Sequence, residues 1–326
     1  MPAFTVIESE TLQSGIAVVF GSAVGIQSSA AVAGGCINQG RRLELTDGRT
    51  VFCKQNSKAL SGMFLAEAQG LAALRSLCTR IAGPHVPAPL ALVYTPKNQY
   101  LLLEWIESGR RSVKATHEFA IALAAMHSAV VTTGELPGYT PDHAKARIKQ
   151  PVSCDAIRQH GFVSNNYIGS TPQINTWTES WVDFFAEHRL RYQLDLAARK
   201  GLVNSSMRTL ADAVLLRLPN MLPQPRYPSL LHGDLWSVNI MPAANDKLVM
   251  IDPAVYLGHY EADLAMMELF GSPGSGFFDA YQQIVPIEPG YEDRRELYNL
   301  YHLLNHLNIF GGGYRESVMR ILERFS

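Results

Sequence analysis

The chain has 326 residues, of which 47% are hydrophobic and 17% are charged. A chain of this length usually folds into about two domains or lobes, and its apolar content excludes disorder as the main state. The 28 basic and 29 acidic residues give a formal net charge of −1. This balance does not favour binding to nucleic acid or to an anionic membrane surface.

The cysteine pattern and the apolar stretches both indicate a soluble cytoplasmic protein. The four cysteines form no C-x-x-C pair, so the sequence predicts neither a zinc ribbon nor a disulfide framework. Residues 11–40 carry no charged side chain, but their most apolar part, residues 15–26, is far shorter than the ~20 residues of a membrane-spanning helix. Glu8 and Glu10 precede this stretch, which is not typical of a secretory signal.

The first third of the chain alternates β-like runs with one long helical pattern. Five strands are predicted, at residues 28–32, 37–45, 50–55, 88–94 and 100–105. A helix is predicted between the third and fourth strands, at residues 57–77. We therefore expect a first lobe, residues 1–106, that consists of a five-stranded antiparallel sheet and one long helix.

The rest of the chain, residues 107–326, predicts a mainly helical second lobe. Residues 134–160 are rich in proline and glycine and indicate a loop-rich insert. Thr176 and Glu179 have the spacing of a capping box before an aromatic-rich helix. Residues 292–325 predict further helix, interrupted by three consecutive glycines.

The strongest chemical signal is the sequence His-Gly-Asp-Leu-Trp-Ser-Val-Asn at residues 232–239, followed by an apolar run that ends in Asp252. Asp234 and Asn239 are five residues apart, and Asp252 follows thirteen residues later. Kinase-type phosphoryl transfer needs one carboxylate at the substrate hydroxyl, and an amide and a second carboxylate on Mg²⁺. The structural alternative is a capped turn and a strand end, but the joint spacing favours function.

The first lobe supplies two further groups that a kinase needs. Lys54 lies in a predicted strand, and Glu67 lies within an apolar stripe of the following helix. A buried carboxylate is costly without a cation, so we expect Lys54 to pair with Glu67. The Gly34-Gly35 turn would let backbone N–H groups approach phosphate closely, although hairpins also use such turns for steric reasons alone.

These residues resemble the fructosamine-3-kinase (ketosamine-3-kinase) family, relatives of the aminoglycoside phosphotransferases with a protein-kinase-like fold. The resemblance covers nearly the whole chain. Its Asp-Pro-Ala at residues 252–254, in place of the Asp-Phe-Gly of kinases generally, is specific to this family. The matching segments are residues 34–38, 51–54, 169–175, 232–239, 251–256, 261–266 and 298–308.

The resemblance implies an α+β, two-lobe kinase that uses ATP and Mg²⁺ to phosphorylate the 3-hydroxyl of ketosamines, the adducts of sugars with amines. The 3-phosphate is unstable, so the adduct is released and the amine is deglycated. Members that look bacterial are expected to favour ribulosamines or erythrulosamines. The ketosamine is then the partner, free or attached to a protein.

The same resemblance gives each candidate residue a role. Lys54, held by Glu67, would bind the α- and β-phosphates, with the turn of Gly34 and Gly35 near the phosphates. Asp234 would accept or orient the sugar hydroxyl. Asn239 and Asp252 would hold Mg²⁺. The adenine would meet the backbone of three residues, Glu104, Trp105 and Ile106.

Three departures from the family pattern bear on this interpretation. Val238 stands where the family usually has glycine, and Tyr260 stands where arginine is common. The insert at residues 134–160 looks longer than is typical. Two alternatives therefore stay open: a phosphotransferase for an aminoglycoside or choline, and a pseudokinase that binds nucleotide without turnover.

Overall fold

A computed structural model of the chain describes residues 4–32, 39–57, 62–136 and 156–326. The first part of the described chain is a sheet whose strands run in the spatial order β1-β5-β6-β4-β3-β2. The strands are β1 (Thr5–Glu8), β2 (Ile26–Val32), β3 (Gln39–Leu45), β4 (Thr50–Ser57), β5 (Pro89–Tyr94) and β6 (Asn98–Glu104). Two helices accompany them, α1 (Leu12–Phe20) and α2 (Met63–Ile81).

The prediction of five antiparallel strands is wrong, because the sheet has six strands and is mixed. The additional strand, β1, lies at the edge and runs parallel to β5, with Thr5 opposite Ala91 and Glu8 opposite Tyr94. The other neighbouring strands pair antiparallel, as expected. A four-residue run is too short to show a two-residue periodicity, so β1 is defined by its pairing with β5 rather than by its own pattern.

Helix α2 packs its apolar stripe against the sheet and brings Glu67 towards β4. It begins at Met63, later than predicted, while residues 58–61 of the predicted helix lie outside the described residues. At Gly70 a Cβ atom would lie 2.9 Å from Val255 Cγ2. The helix therefore approaches the segment after Asp252 more closely than an alanine would allow.

The remainder of the described chain is mainly helical, as predicted. The helices are α3 (Val113–Ser128), α4 (Trp181–Phe184), α5 (Tyr192–Arg199), α6 (Ser205–Met221), α7 (Glu261–Leu269), α8 (Phe277–Tyr281), α9 (Tyr291–Phe310) and α10 (Arg315–Phe325). A π-helical stretch, Phe185–Arg191, joins α4 to α5. The capping-box prediction is wrong, because α4 is capped by Ser180, whose hydroxyl accepts a hydrogen bond from the Asp183 amide.

Three pairs of short antiparallel strands lie in the segments between these helices. They are β7 (Asn166–Ile168) with β8 (Thr171–Gln173), β9 (Ser229–Leu231) with β12 (Tyr256–Gly258), and β10 (Ile240–Pro242) with β11 (Leu248–Met250). Most of the predicted insert, residues 137–155, lies outside the described residues. Within the described ranges, no helix is both long and apolar enough to cross a membrane.

A single large apolar core links the sheet to the helices. It includes Phe64 of α2, Leu101 of β6, Phe119 of α3 and Trp181 of α4, all of them buried. A smaller cluster packs Ile16 of α1 against the opposite face of the sheet. This large core also includes Leu235, Ile240 and Ala254, which are neighbours in sequence of Asp234, Asn239 and Asp252.

Helix α7 is fixed to α9 by a buried ion pair. The Arg294 guanidinium donates two hydrogen bonds to the Glu261 carboxylate, from Nε at 2.6 Å and from Nη2 at 2.7 Å. The Glu261 side chain is 0% exposed. Burial raises the pKa of Glu261 even beside this arginine, so the carboxylate depends on its partner to remain ionised.

We expect Arg294→Met to lower the free energy of unfolding by about 3–5 kcal/mol, because it leaves a buried carboxylate without a partner. Arg324→Met is the matched control, since Arg324 also connects α10 to α9 through Glu296 but is half exposed. This control should cost less than about 1 kcal/mol. Denaturant unfolding of both variants measures the difference, and equal losses would contradict a special role for the buried pair.

Candidate active site

The ammonium of Lys54 lies at the centre of the candidate site. Its Nζ donates to Glu67 Oε1 at 2.6 Å and to Asp252 Oδ1. The structure therefore brings together β4, α2 and a residue 198 positions further along the chain. Burial disfavours the charged amine, but the carboxylates of Asp252 and Glu67 outweigh it and raise the pKa of Lys54. Lys54 is a permanent cation in this site.

The loop after β9 carries Asp234 and is held through its backbone. The amides of His232 and Gly233 donate to the two carboxylate oxygens of Asp263, at 2.7 and 2.8 Å. Burial opposes ionisation of Asp263, but hydrogen bonds from His127 and the Gly233 amide lower its pKa overall. Gly233 has a φ of +81°, and a Cβ there would lie 2.0 Å from the Ala254 carbonyl oxygen. Only glycine fits this position.

His232 connects this loop to the segment that contains Asp252. Its Nε2 lies 2.9 Å from the Ile251 carbonyl oxygen, and its Nδ1 accepts from the Asp234 amide at 3.3 Å. A carbonyl can only accept, so Nε2 carries the proton and the ring is the neutral tautomer. Burial lowers the pKa of His232, which agrees with this state. The histidine is a structural bridge between the two segments.

Asp234 and Asn239 are in direct contact. Asn239 lies in the 3₁₀ turn Ser237–Asn239, and its Nδ2 donates to the Asp234 carbonyl at 2.8 Å and to Asp234 Oδ2 at 3.1 Å. Burial, followed by the negative charge of Asp252, raises the pKa of Asp234 to about 7. A carboxyl with a pKa near neutrality can exchange a proton with a hydroxyl group at physiological pH.

Asp252 has a backbone conformation that non-glycine residues rarely adopt. Its φ is +55°, in the left-handed region, and the amide of the preceding Ile251 donates to the Asn239 carbonyl at 3.0 Å. The Asp252 side chain is 44% exposed, in contrast to the buried Lys54 that it contacts. The backbone therefore keeps Asn239 and Asp252 close together while the carboxylate stays accessible to a ligand.

The oxygen donors of Asn239 and Asp252 suit Mg²⁺. Mg²⁺ prefers hard oxygen ligands and is usually held by one or two carboxylates together with substrate phosphates. Within the described ranges no group of three or more His, Cys, Asp or Glu side chains forms a complete metal cage. The residues present fit a cation that takes its remaining ligands from a nucleotide and water.

The segment predicted to meet adenine follows β6. The Glu104 amide donates to the Ala88 carbonyl at 2.9 Å, and its carboxylate accepts from the Ala88 amide at 3.0 Å. The Trp105 ring lies 6.4 Å from the ring of Phe52, and its Nε1 donates to Glu107. The Glu104 amide and both side chains are thus engaged within the protein, so a ligand would meet other backbone groups of this segment. Gly34 and Gly35 lie outside the described residues.

Two departures noted in the sequence have structural explanations. Val238 is 61% exposed, and the described non-glycine residues with positive φ are Ala82, Asp246 and Asp252. Position 238 therefore does not need the conformational freedom of glycine. The ring of Tyr260 packs against two buried histidine rings, at 4.7 Å from His259 and 6.2 Å from His127.

Sequence reasoning assigned no role to one buried cluster beside the site. Gln173 and Asn166 donate to the carbonyls of Ala254 and Val255, directly after Asp252. The signals in the sequence were the family resemblance of residues 169–175 and the density of amide side chains in residues 165–175. Their target on the distant Asp252 segment is set by the tertiary fold.

Comparison with known proteins places the chain in a family. A fructosamine kinase family model matches residues 9–326. The chain is 38% identical over 325 residues to a protein named probable ketoamine kinase from Synechocystis sp., covering 99% of both chains. It is 37% identical over 310 residues to a chloroplastic protein-ribulosamine 3-kinase from Arabidopsis thaliana, covering 94% of this chain and 84% of the other.

Solved structures agree with this result. A crystal structure named as a fructosamine-3-kinase from Haemophilus somnus superposes with a TM-score of 0.78 at 26% identity, covering 97% of this chain and 96% of that one. An ADP-bound aminoglycoside phosphotransferase, at 14% identity and a TM-score of 0.55, shares the kinase-like fold alone. The chain belongs to the fructosamine kinase family.

Proposed function

We propose that this protein transfers the γ-phosphoryl group of ATP to the 3-hydroxyl of ketosamines, including ribulosamines. The proposal depends on one observation: Lys54 contacts both Glu67 and Asp252. This contact brings together the cation and carboxylates that kinase-type phosphoryl transfer requires, from β4, from α2 and from a residue 198 positions further along the chain. The names of its relatives, ketoamine kinase and protein-ribulosamine 3-kinase, support the choice of acceptor.

Each residue of the site has a defined task in this proposal. Lys54, oriented by Glu67, binds the α- and β-phosphates, and the amide oxygen of Asn239 and the carboxylate of Asp252 hold Mg²⁺. The bound cation would neutralise charge on the phosphates. Asp234 orients the acceptor hydroxyl and accepts its proton, a role that its raised pKa of about 7 allows.

The remaining contacts to ATP come from the first lobe in this proposal. The adenine hydrogen-bonds to backbone groups within Glu104, Trp105 and Ile106, and the turn of Gly34 and Gly35 covers the phosphates. Residues 1–106 then form the ATP-binding lobe, and residues 107–326 form the lobe that binds the acceptor in a cytoplasmic enzyme. Phosphorylation at the 3-hydroxyl makes the sugar adduct unstable, so the product amine is deglycated.

We expect incubation with Mg·ATP and glycated lysines to add one phosphate to ribulosamine or fructosamine adducts, followed by recovery of free lysine. Mass spectrometry detects both steps. Aminoglycosides and choline, tested in the same assay with release of ADP as the readout, serve as competing acceptors. Phosphorylation of one of these compounds but of no ketosamine would contradict the proposal.

Asp234→Asn should lower turnover by about 10²–10⁴-fold, because the amide cannot accept the proton of the hydroxyl. The affinity for Mg·ATP, measured by calorimetry, should remain close to that of the unmodified protein. Near-normal turnover in this variant would show that Asp234 does not have the assigned role.

Val238→Gly should change turnover by less than about threefold, since this exposed position has no positive φ for glycine to relieve. The variant also separates an active kinase from a pseudokinase. Turnover that appears only after this substitution would mean that Val238 has inactivated the natural protein.

A further inference from the structure

A cluster of buried amide side chains lies on the β7–β8 hairpin, next to the Asp252 segment. We call Asn166, Gln173 and Asn175 the amide clamp. All three are at most 4% exposed, and the side chains contact one another: Gln173 Nε2 and Asn175 Nδ2 both donate to Asn166 Oδ1, at 2.7 and 2.9 Å. Buried amides are retained only where their hydrogen bonds are satisfied, so this cluster has a defined orientation.

The amide clamp holds the backbone that follows Asp252. Gln173 Nε2 donates to the Ala254 carbonyl at 3.0 Å, and Asn166 Nδ2 donates to the Val255 carbonyl at 2.7 Å. The hydroxyl of Tyr301, on α9, donates to Gln173 Oε1 at 2.6 Å. A separation of 2.6 Å is typical of an O–H···O bond, so Tyr301 supports the orientation in which Gln173 points its NH₂ group at Ala254.

A buried cation stands at the other end of the same network. Arg189 is fully buried and lies against the ring of Tyr256, at 4.1 Å from its centroid. Its Nη2 donates to Asn175 Oδ1 at 2.8 Å. The hydrogen bonds then run in one direction, from Arg189 through Asn175 and Asn166 to the Val255 carbonyl. Such a chain polarises each following amide and strengthens its donation.

The conformation of Asp252 explains why this clamp is needed. A non-glycine residue in the left-handed region costs about 1–3 kcal/mol and persists only where its surroundings fix it from both sides. On the preceding side, the Ile251 carbonyl accepts from His232 Nε2. On the following side, the Ala254 amide donates to the His232 carbonyl at 2.8 Å, and the two described side-chain donors to the backbone carbonyls of residues 254 and 255 belong to Gln173 and Asn166.

We propose that the amide clamp is a set of positioning residues for phosphoryl transfer: it fixes the backbone after Asp252 and so holds the Asp252 carboxylate ready for Mg²⁺. The inference rests on the metal-binding role given to Asp252 under the proposed function. None of the three amides is assigned to touch substrate or nucleotide. They act through the position of Asp252.

The test compares Gln173→Met with Gln224→Met. Both glutamines make three side-chain hydrogen bonds, but those of Gln224 go to Trp181, His160 and Glu179, and none goes to the carbonyls of Ala254 and Val255. Gln224 is exposed, whereas Gln173 is buried, so Gln173→Met should lower the melting temperature by a few degrees and Gln224→Met by less. Binding of a non-hydrolysable ATP analogue is then measured by calorimetry, with Mg²⁺ and with EDTA, and hydrogen exchange is followed in the peptide over residues 250–255, which excludes the residues that pack on Trp181 and Gly161.

Mg²⁺ is expected to increase the affinity for the analogue relative to EDTA. In Gln173→Met this increase should be about 10-fold to 100-fold smaller, which is the usual cost of losing a residue that orients a metal ligand. Affinity in EDTA should stay unchanged, and exchange at residues 250–255 should accelerate. Gln224→Met should retain the full gain from Mg²⁺ and normal exchange in that peptide. Equal behaviour of the two variants in both measurements would overturn the inference.

Tyr301→Phe provides a second route if Gln173→Met does not fold. It removes only the hydroxyl that orients Gln173 and keeps the aromatic ring beside Arg189. The expected result is a smaller change in the same direction, and unchanged exchange would count against the clamp. No ketosamine is used in these measurements, so a failure to phosphorylate ketosamines would refute the proposed function without affecting this result.

Discussion

The buried ion triad of Lys54, Glu67 and Asp252 is the constraint on which the rest of the site depends. Two carboxylates beside one ammonium leave a net negative charge in a largely buried place, where unpaired charge is costly. Burial raises the pKa of Asp234, and the negative charge of Asp252 raises it further. This net negative charge favours the binding of a further cation and keeps Lys54 protonated. A nucleoside triphosphate with its metal ion requires both.

The position of Asp234 is determined by backbone contacts that reach back to the helical core. Asp263 accepts hydrogen bonds from the loop amides, and it lies in the first turn of α7, two residues after Glu261. Arg294 fixes that same turn to α9 through the buried ion pair. The loop is therefore held by a carboxylate whose helix is itself anchored. A positional error in α7 would be transmitted to the loop that carries Asp234, although no residue of α7 is assigned to touch the substrate.

Local patterns predicted most elements of residues 1–106, and the spacing of polar residues predicted which side chains meet. Strands β2–β6, α2 and the terminal helices follow from periodicity, and the Lys54–Glu67 contact follows from the cost of burying a lone carboxylate. Three features required tertiary information. Strand β1 is defined by its pairing with β5. Helix α4 begins at Trp181, so Ser180 rather than Thr176 caps it. The targets of the amide clamp are carbonyl groups, which every residue has, so no sequence pattern identifies them.

The segment after Asp252 is enclosed on three sides, and this has a consequence for specificity. Helix α2 approaches it at Gly70, the loop that carries Asp234 approaches it at Gly233, and the amide clamp holds its carbonyls. Both glycines lie where a Cβ would collide, so the close approach is built into the sequence. Pro253 further restricts the backbone at the residue after Asp252. With the chemical groups fixed in this way, exposed neighbours such as Val238 can vary without moving them. Differences in acceptor between relatives should then arise from the walls around the site rather than from Lys54, Asp234 or Asp252.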